Sequence, residues 1–276
     1  MPRNNESRLG TQAEGDSPPI ENSNSLLNFV IPTEFVELPT KGKFYPPHHP
    51  LHNVEEVEMR YMSAKETDIL TSKALLKKGI AIDRMLESLL LDKSIKADEM
   101  FTGDKNALVV AARISGFGPN YEAQITCESC GNSAEHEFEL NEIVSKQTAD
   151  DIRFSERGTF FITLPKTGVE AECCLLTGKD ESYLLAQSEK RRKLKLPDTT
   201  MTDQYKMIIV SLNGVVERSK VEEFVDVMPA MDATHLRKEY DRARPDVDMT
   251  FQFECSNCNA ENETDIPFSA NFFWPK

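Results

Sequence analysis

Cys127-Glu128-Ser129-Cys130-Gly131 and, far downstream, Cys255-Ser256-Asn257-Cys258-Asn259 are two C-x-x-C turns, each set between runs that read as strands. Tyr121 to Thr126 precedes the first turn and Ala134 to Leu140 follows it; Val247 to Glu254 and Thr264 to Phe268 flank the second. A two-residue spacer lets both sulfurs of a pair face one ion, so two such pairs supply the four thiolates of a structural zinc site. Residues 131 to 254 lie between them, far more than the gap of an ordinary zinc ribbon. If one ion is shared, the intervening chain must fold and return.

Working outward from the cysteines, the chain repeats itself. Phe35-Val-Glu-Leu38-Pro39-Thr-Lys-Gly42 returns 126 residues later as Phe161-Ile-Thr-Leu164-Pro165-Lys-Thr-Gly168. Ser63-Ala-Lys-Glu66 has the spacing of a capping box, in which hydroxyl and carboxylate satisfy free amides at a helix start. It returns 114 residues later as Thr177-Gly-Lys-Asp180, the shortening being a smaller loop in place of the proline-rich stretch around Pro46 to Leu51. The stripe after Asp83 returns after Asp203, 120 on, and Asp104 with Leu108 returns as Asp232 with Leu236, 128 on. Both cysteines of each turn share the 128-residue offset. This order predicts an internally duplicated α+β fold, two tandem helical-plus-strand repeats each ending in a C-x-x-C hairpin. Residues 1–25 read as a disordered tail, 26–140 as the first repeat with its proline-rich arm, 141–158 as a connector and 159–276 as the second repeat. Duplicated units tend to associate through equivalent surfaces, so the four thiolates are expected to meet at one zinc.

A formal charge of −14 over 276 residues opposes non-specific binding to a polyphosphate backbone, so nucleic acid is disfavoured as a partner. Residues 1 to 25 lack the apolar stretch of a signal peptide, which places the six cysteines in a reducing compartment, and no apolar run reaches the length of a membrane span.

The candidate metal ligands are therefore Cys127, Cys130, Cys255 and Cys258 in one shared structural zinc site, against separate, vestigial or redox-active pairs. A redox thiol needs the low pKa of a helix N-terminus, whereas these turns lie between strands. Four sulfurs leave no open position for a catalytic metal. His136 follows the first turn, but its counterpart is Thr264, so it reads as a strand residue. Cys173 and Cys174 read as small buried hydrophobes, and His48, His49 and His52 as polar loop residues. The basic run Lys190 to Lys195 reads as a solvated helix end, with contact to an acidic partner or phosphate backbone as the alternative. No nucleophile, P-loop or H-E-x-x-H motif is present, so no catalytic residue is assigned. Two apolar segments, the arm with Phe44 and Tyr45 and the terminal Phe272, Phe273 and Trp274, are expected to dock either on the chain's own core or, as candidate partner contacts, on another subunit, because aromatics of this size are costly to leave in water.

The chain also resembles the baseplate proteins of T-even-type contractile-tailed phages, a family of hub subunits and hub-assembly factors. The likeness lies in Leu38-Pro-Thr-Lys-Gly-Lys-Phe-Tyr45-Pro46 before an acidic strand and in the Ser63-Ala-Lys-Glu-Thr-Asp-Ile-Leu70 helix start. It continues through Gly103-Asp104, the Ile114 to Gly118 turn with Tyr121 and the first C-x-x-C, and Phe272-Phe-Trp-Pro275. The resemblance spans roughly residues 30 to 276 and implies a non-enzymatic protein that contacts other baseplate hub proteins, in the virion tail or during assembly in the host cytoplasm. A zinc-ribbon nucleic-acid-binding regulator and a cysteine redox protein are the alternatives.

Overall fold

The structure is a computed structural model and describes residues 31–266 and 272–273. Thr33–Glu37 (β1) pairs antiparallel with Glu56–Arg60 (β2), Phe35 opposite Glu58. The loop between them turns inward, burying Leu38, Tyr45 and Leu51. It reverses at Lys41 and Gly42, both at positive φ. A β-carbon at position 42 would lie 2.3 Å from the Val54 nitrogen, so only glycine lets the two backbones approach.

Ala64–Thr71 (α1) starts at the capping box that the sequence predicts. The buried Glu66 carboxylate accepts the Ser63 amide at 3.0 Å and hydroxyl at 2.7 Å, the Ser88 hydroxyl at 2.8 Å and the Arg60 guanidinium at 2.5 Å. Burial by itself would raise its pKa, but these donors, led by Arg60, outweigh it and hold the carboxyl at about 2. The folded value lies below the ordinary 4.5, so the stabilisation is complete above about pH 5 and is lost as pH falls toward 2. Urea melts of Glu66→Gln should therefore show an acid limb flattened by on the order of 3 kcal/mol between those limits. An acid limb identical to the parent's would show that Glu66 does not carry this dependence.

Lys73–Lys78 (α2) and Ala81–Leu89 (α3) follow, and α3 turns Met85, Leu86 and Leu89 fully inward. Leu90 then bridges Met59 on β2. Thr102–Phe117 (α4) opens on Asp104, which is fully buried and ties the helix start to the arm. Asp104 accepts the Thr40 amide at 2.9 Å, the Thr40 hydroxyl at 2.6 Å and the Tyr45 hydroxyl at 2.8 Å. Asn120–Thr126 (β3) and Ser133–Glu139 (β4) form an antiparallel hairpin, followed by the short Ser145–Lys146 (β5).

The second half begins with Thr159–Thr163 (β6) and Glu170–Cys174 (β7), then Gly178–Lys193 (α5), Thr200–Ile208 (α6) and Ile209–Leu212 (β8). The order β6-β7-β8 makes a three-stranded antiparallel sheet. Arg218–Val227 (α7) and Ala230–Ala243 (α8) follow, and Asp232 in the first turn of α8 accepts the amides of Lys166 at 2.6 Å and Thr167 at 3.0 Å. Asp246–Val247 (β9) pairs back onto β5, and Thr250–Glu254 (β10) with Glu261–Asp265 (β11) makes the last hairpin. The architecture is α+β, helices around several small antiparallel sheets.

Apolar side chains gather in two clusters. One lies between Phe160 and Ala243; the other joins the β1–β4 region to the β10–β11 hairpin, whose Met249 and Ile266 are buried in it. Phe251 meets Phe138 edge-on at 5.2 Å, so the last hairpin packs on the first. The halves are stitched where the starts of α4 and α5 meet, Thr102 N donating to Leu176 O and Gly178 N to Met100 O. Among the described residues, fully buried Arg113 donates to three carbonyls, those of Phe272 at 2.6 Å, Asn120 at 2.7 Å and Gly118.

Candidate metal centre

Each C-x-x-C turn is built by its hairpin. Thr126 pairs with Ser133 in the first, and Glu254 with Glu261 in the second, leaving the cysteines in the connecting turns. The Cys127 amide donates to Asn132 O and the Gly131 amide to Cys127 O; Cys255 with Ala260, and Asn259 with Cys255, repeat the pattern. Gly131 and Asn259 both take positive φ, 71° and 54°, the left-handed conformation that glycine and asparagine tolerate best. That residue choice after the second cysteine is the sequence mark of the turn.

The hairpins bring all four sulfurs within 4.8 Å of one another. Cys127 Sγ lies 3.8 Å from Cys258 Sγ, and Cys130 Sγ 3.8 Å from Cys255 Sγ. Four sulfurs at about 2.3 Å from a tetrahedral ion are separated by about 3.8 Å, so the cluster already has the size a thiolate-bound metal requires. The same spacing is far beyond the roughly 2.05 Å of a disulfide, and the thiols are free. Cys127 and Cys255 are buried while Cys130 and Cys258 face solvent.

Charge at the cluster is divided unevenly. The Cys130 amide, with help from Ser129 and neighbouring thiols, lowers the Cys127 pKa to about 6, and the Asn132 amide lowers that of Cys130. At Cys258 the Ala260 amide lowers the pKa, but thiol contacts with Cys130, Cys255 and Cys127 outweigh it and push the value up to about 12. Four thiolates this close repel, and a bound cation is what lets all of them ionise together. Asn262 Nδ2 lies 3.5 Å from Cys127 Sγ and Asn257 Nδ2 3.6 Å from Cys130 Sγ, each reaching across from the other hairpin. Sequence reading passed over these two amides, although Cys-x-Asn-Cys with a further Asn four residues on is visible in the chain.

The remaining sequence candidates fall elsewhere. His136 is a strand residue, its ring edge-on to Phe138 at 4.7 Å. His49 and His52 are engaged within their own loop, by the Leu51 amide and the Tyr45 carbonyl. Burial raises the Cys173 thiol, and it raises that of Cys174 to about 11, as in small hydrophobes. Lys190 to Lys193 close α5, with Lys193 near Glu189 and Arg191 near Asp203. Tyr45, Phe272 and Phe273 are 3%, 1% and 5% exposed, so their apolar area is spent inside the chain rather than offered to a partner. Phe44 is half-buried against Phe154, with ring centroids 3.9 Å apart, and Trp274 lies outside the described residues. Among the described residues no helix is long and apolar enough to cross a membrane.

A family model described as T4 bacteriophage base plate protein matches residues 31–274. Neither a curated protein nor a solved structure matches the chain.

Proposed function

The chain belongs to the T4 bacteriophage base plate protein family, and from that premise we propose that it is a non-enzymatic part of the baseplate hub, or a factor that assembles it, acting through contacts with other hub proteins. The observation that carries this reading is the extent of the match, which runs from the start of the described body almost to its end. Its place of action is the virion tail, or the host cytoplasm while tails are assembled.

The same proposal assigns the body to two copies of one unit, 26–140 and 159–276, clasped by one zinc ion. Support for the repeat comes from element bounds: β1 and β6 begin 126 residues apart, β2 and β7 114 apart, α4 and α8 128 apart, and β4 and β11 128 apart. Further support comes from Asp104 and Asp232, each gripping the Leu-Pro turn of its own half. Support for a shared ion comes from the exchange at the sulfurs. Cys127 meets Cys258, the counterpart of Cys130, and Cys130 meets Cys255, the counterpart of Cys127. Reciprocal pairing of this kind is what a two-fold, self-complementary contact produces. Zinc would hold the hairpins together and supply no chemistry of its own, since four sulfurs fill its coordination.

Co-expression of the tagged full chain with the other baseplate proteins of its phage tests the assignment. Hub proteins should co-purify and stay bound through a moderate salt wash. Retention of no baseplate protein, or of nucleic acid that leaves as salt rises, would overturn it.

A further inference from the structure

The two copies differ at one face of α8, which is bare. An open groove of about 460 Å³ is lined by Pro165, Ala230, Met231, Thr234, His235 and Lys238. In the first copy the counterparts are Pro39, Thr102, Gly103, Asn106, Ala107 and Val110, all buried except half-buried Asn106. Gly103 and Asn106 are covered by the chain as it returns after α8. A β-carbon at Gly103 would lie 2.1 Å from the Pro245 carbonyl oxygen, and Asn106 donates to Asp246 Oδ1 at 3.0 Å. The segment Pro245-Asp246-Val247 thus lies along the start of α4, anchored by its pairing with β5. A contact of this kind is head-to-tail, since one copy supplies the strand and the other the groove, and it leaves one groove unfilled.

We propose that the groove on α8 binds an extended, carboxylate-bearing segment of another baseplate protein, much as α4 takes Pro245–Val247. This rests on the repeat and baseplate readings above. Three replacements fix the chemistry of the occupant. Met231, 63% exposed, stands where Gly103 admits bare backbone, so the occupant rides farther out and meets a thioether with an apolar side chain. His235 and Lys238 replace Ala107 and Val110, placing two basic side chains along the groove of a chain whose net charge is −14. Thr234 replaces Asn106, the residue that holds Asp246 in the first copy, and keeps a polar group at that position. A carboxylate beside an apolar residue complements this lining; an unaccompanied basic segment does not.

The test uses the full chain with benzoylphenylalanine at position 231, co-expressed with the other baseplate proteins and irradiated. The expected result is one cross-linked peptide from a baseplate protein, carrying Asp or Glu within a few residues of the cross-link. The yield should fall at least tenfold when His235→Glu and Lys238→Glu are added. A cross-link only to this chain's own segments, in cis or in a second copy, would overturn the inference, as would a basic peptide, no adduct, or a yield indifferent to the charge reversal. The double change of half-buried His235→Gln with exposed Lys238→Gln, melting as the parent does, serves as a folding control and should give an intermediate yield. Loss of all hub proteins in the pull-down above would defeat the functional assignment. Retained hub proteins with no position-231 adduct would defeat this inference alone.

Discussion

Chain purified without chelator should contain one equivalent of zinc, and Cys127→Ser or Cys255→Ser, one change in each hairpin, should each abolish it completely. The reasoning is geometric. The four sulfurs, two from each turn, lie within 4.8 Å of one another, and both pairs that cross between the hairpins stand at 3.8 Å, the separation that a tetrahedral thiolate site needs. Removing any one leaves three ligands and an open coordination position, no longer a closed structural site. Because both hairpins also pack through Phe138 and Phe251 on the first core, the body should stay folded. The expected cost is on the order of 4 kcal/mol, the upper range for a single site, with added chelator lowering the parent to the same midpoint. Elemental analysis with thermal melts decides the matter. One equivalent kept in each variant, with two equivalents in the parent, would place a separate ion on each turn; iron in place of zinc would reject the identity.

The second large effect is expected at Asp104. Its carboxylate is fully buried, and Asp104→Ala strands the Thr40 amide and hydroxyl where water does not reach, Thr40 itself being 2% exposed. The Tyr45 hydroxyl, 2.8 Å away, loses its acceptor as well. A buried polar group left unsatisfied costs about 1–3 kcal/mol, and three such groups in one network should together cost about 4 kcal/mol. Asp232→Ala removes a carboxylate in the corresponding place, yet its partners Lys166 and Thr167 are exposed and their amides can turn to water. Its cost should be about 1 kcal/mol, that of an ordinary hydrogen-bonded side chain whose partners can be rehydrated. Urea denaturation of both variants against the parent gives the comparison. Equal losses would mean that burial of the first network does not set its weight.

Charge at Asp104 runs opposite to Glu66. Burial raises the Asp104 pKa despite its hydrogen bonds with Thr40 and Tyr45, whereas the donors around Glu66 hold that carboxyl well below its ordinary value. Stability gained by proton uptake at Asp104 in acid therefore offsets part of what Glu66 loses, so Glu66→Gln is best read against the parent at each pH.

Local chemistry was legible in the chain. The capping boxes at Ser63 and Thr177 start α1 and α5, and Asp104 and Asp232 open α4 and α8. The C-x-x-C spacing with Gly131 or Asn259 behind it marks the turns of two hairpins. The capping boxes and the turns are readable because each is satisfied by atoms within a few residues, so type and spacing carry the whole constraint, whereas the partners of Asp104 and Asp232, 59 to 66 residues away, were not in view. The helix starting at Ala64 is less simple than its periodicity, for it breaks at Ser72 and resumes as α2 before Gly79 ends it.

By itself, then, the sequence determined the turns, the caps, the alternation of strands and the offset that sets one cysteine pair against the other. Only the tertiary structure decided that the last hairpin joins the first core, that Tyr45, Phe272 and Phe273 spend their surface within the chain, and that Gly103 is covered while Met231 stands open. The reason is physical. A side chain's polarity and spacing dictate that it must be covered, but hydrophobic burial has no direction, and which surface does the covering depends on how distant segments meet.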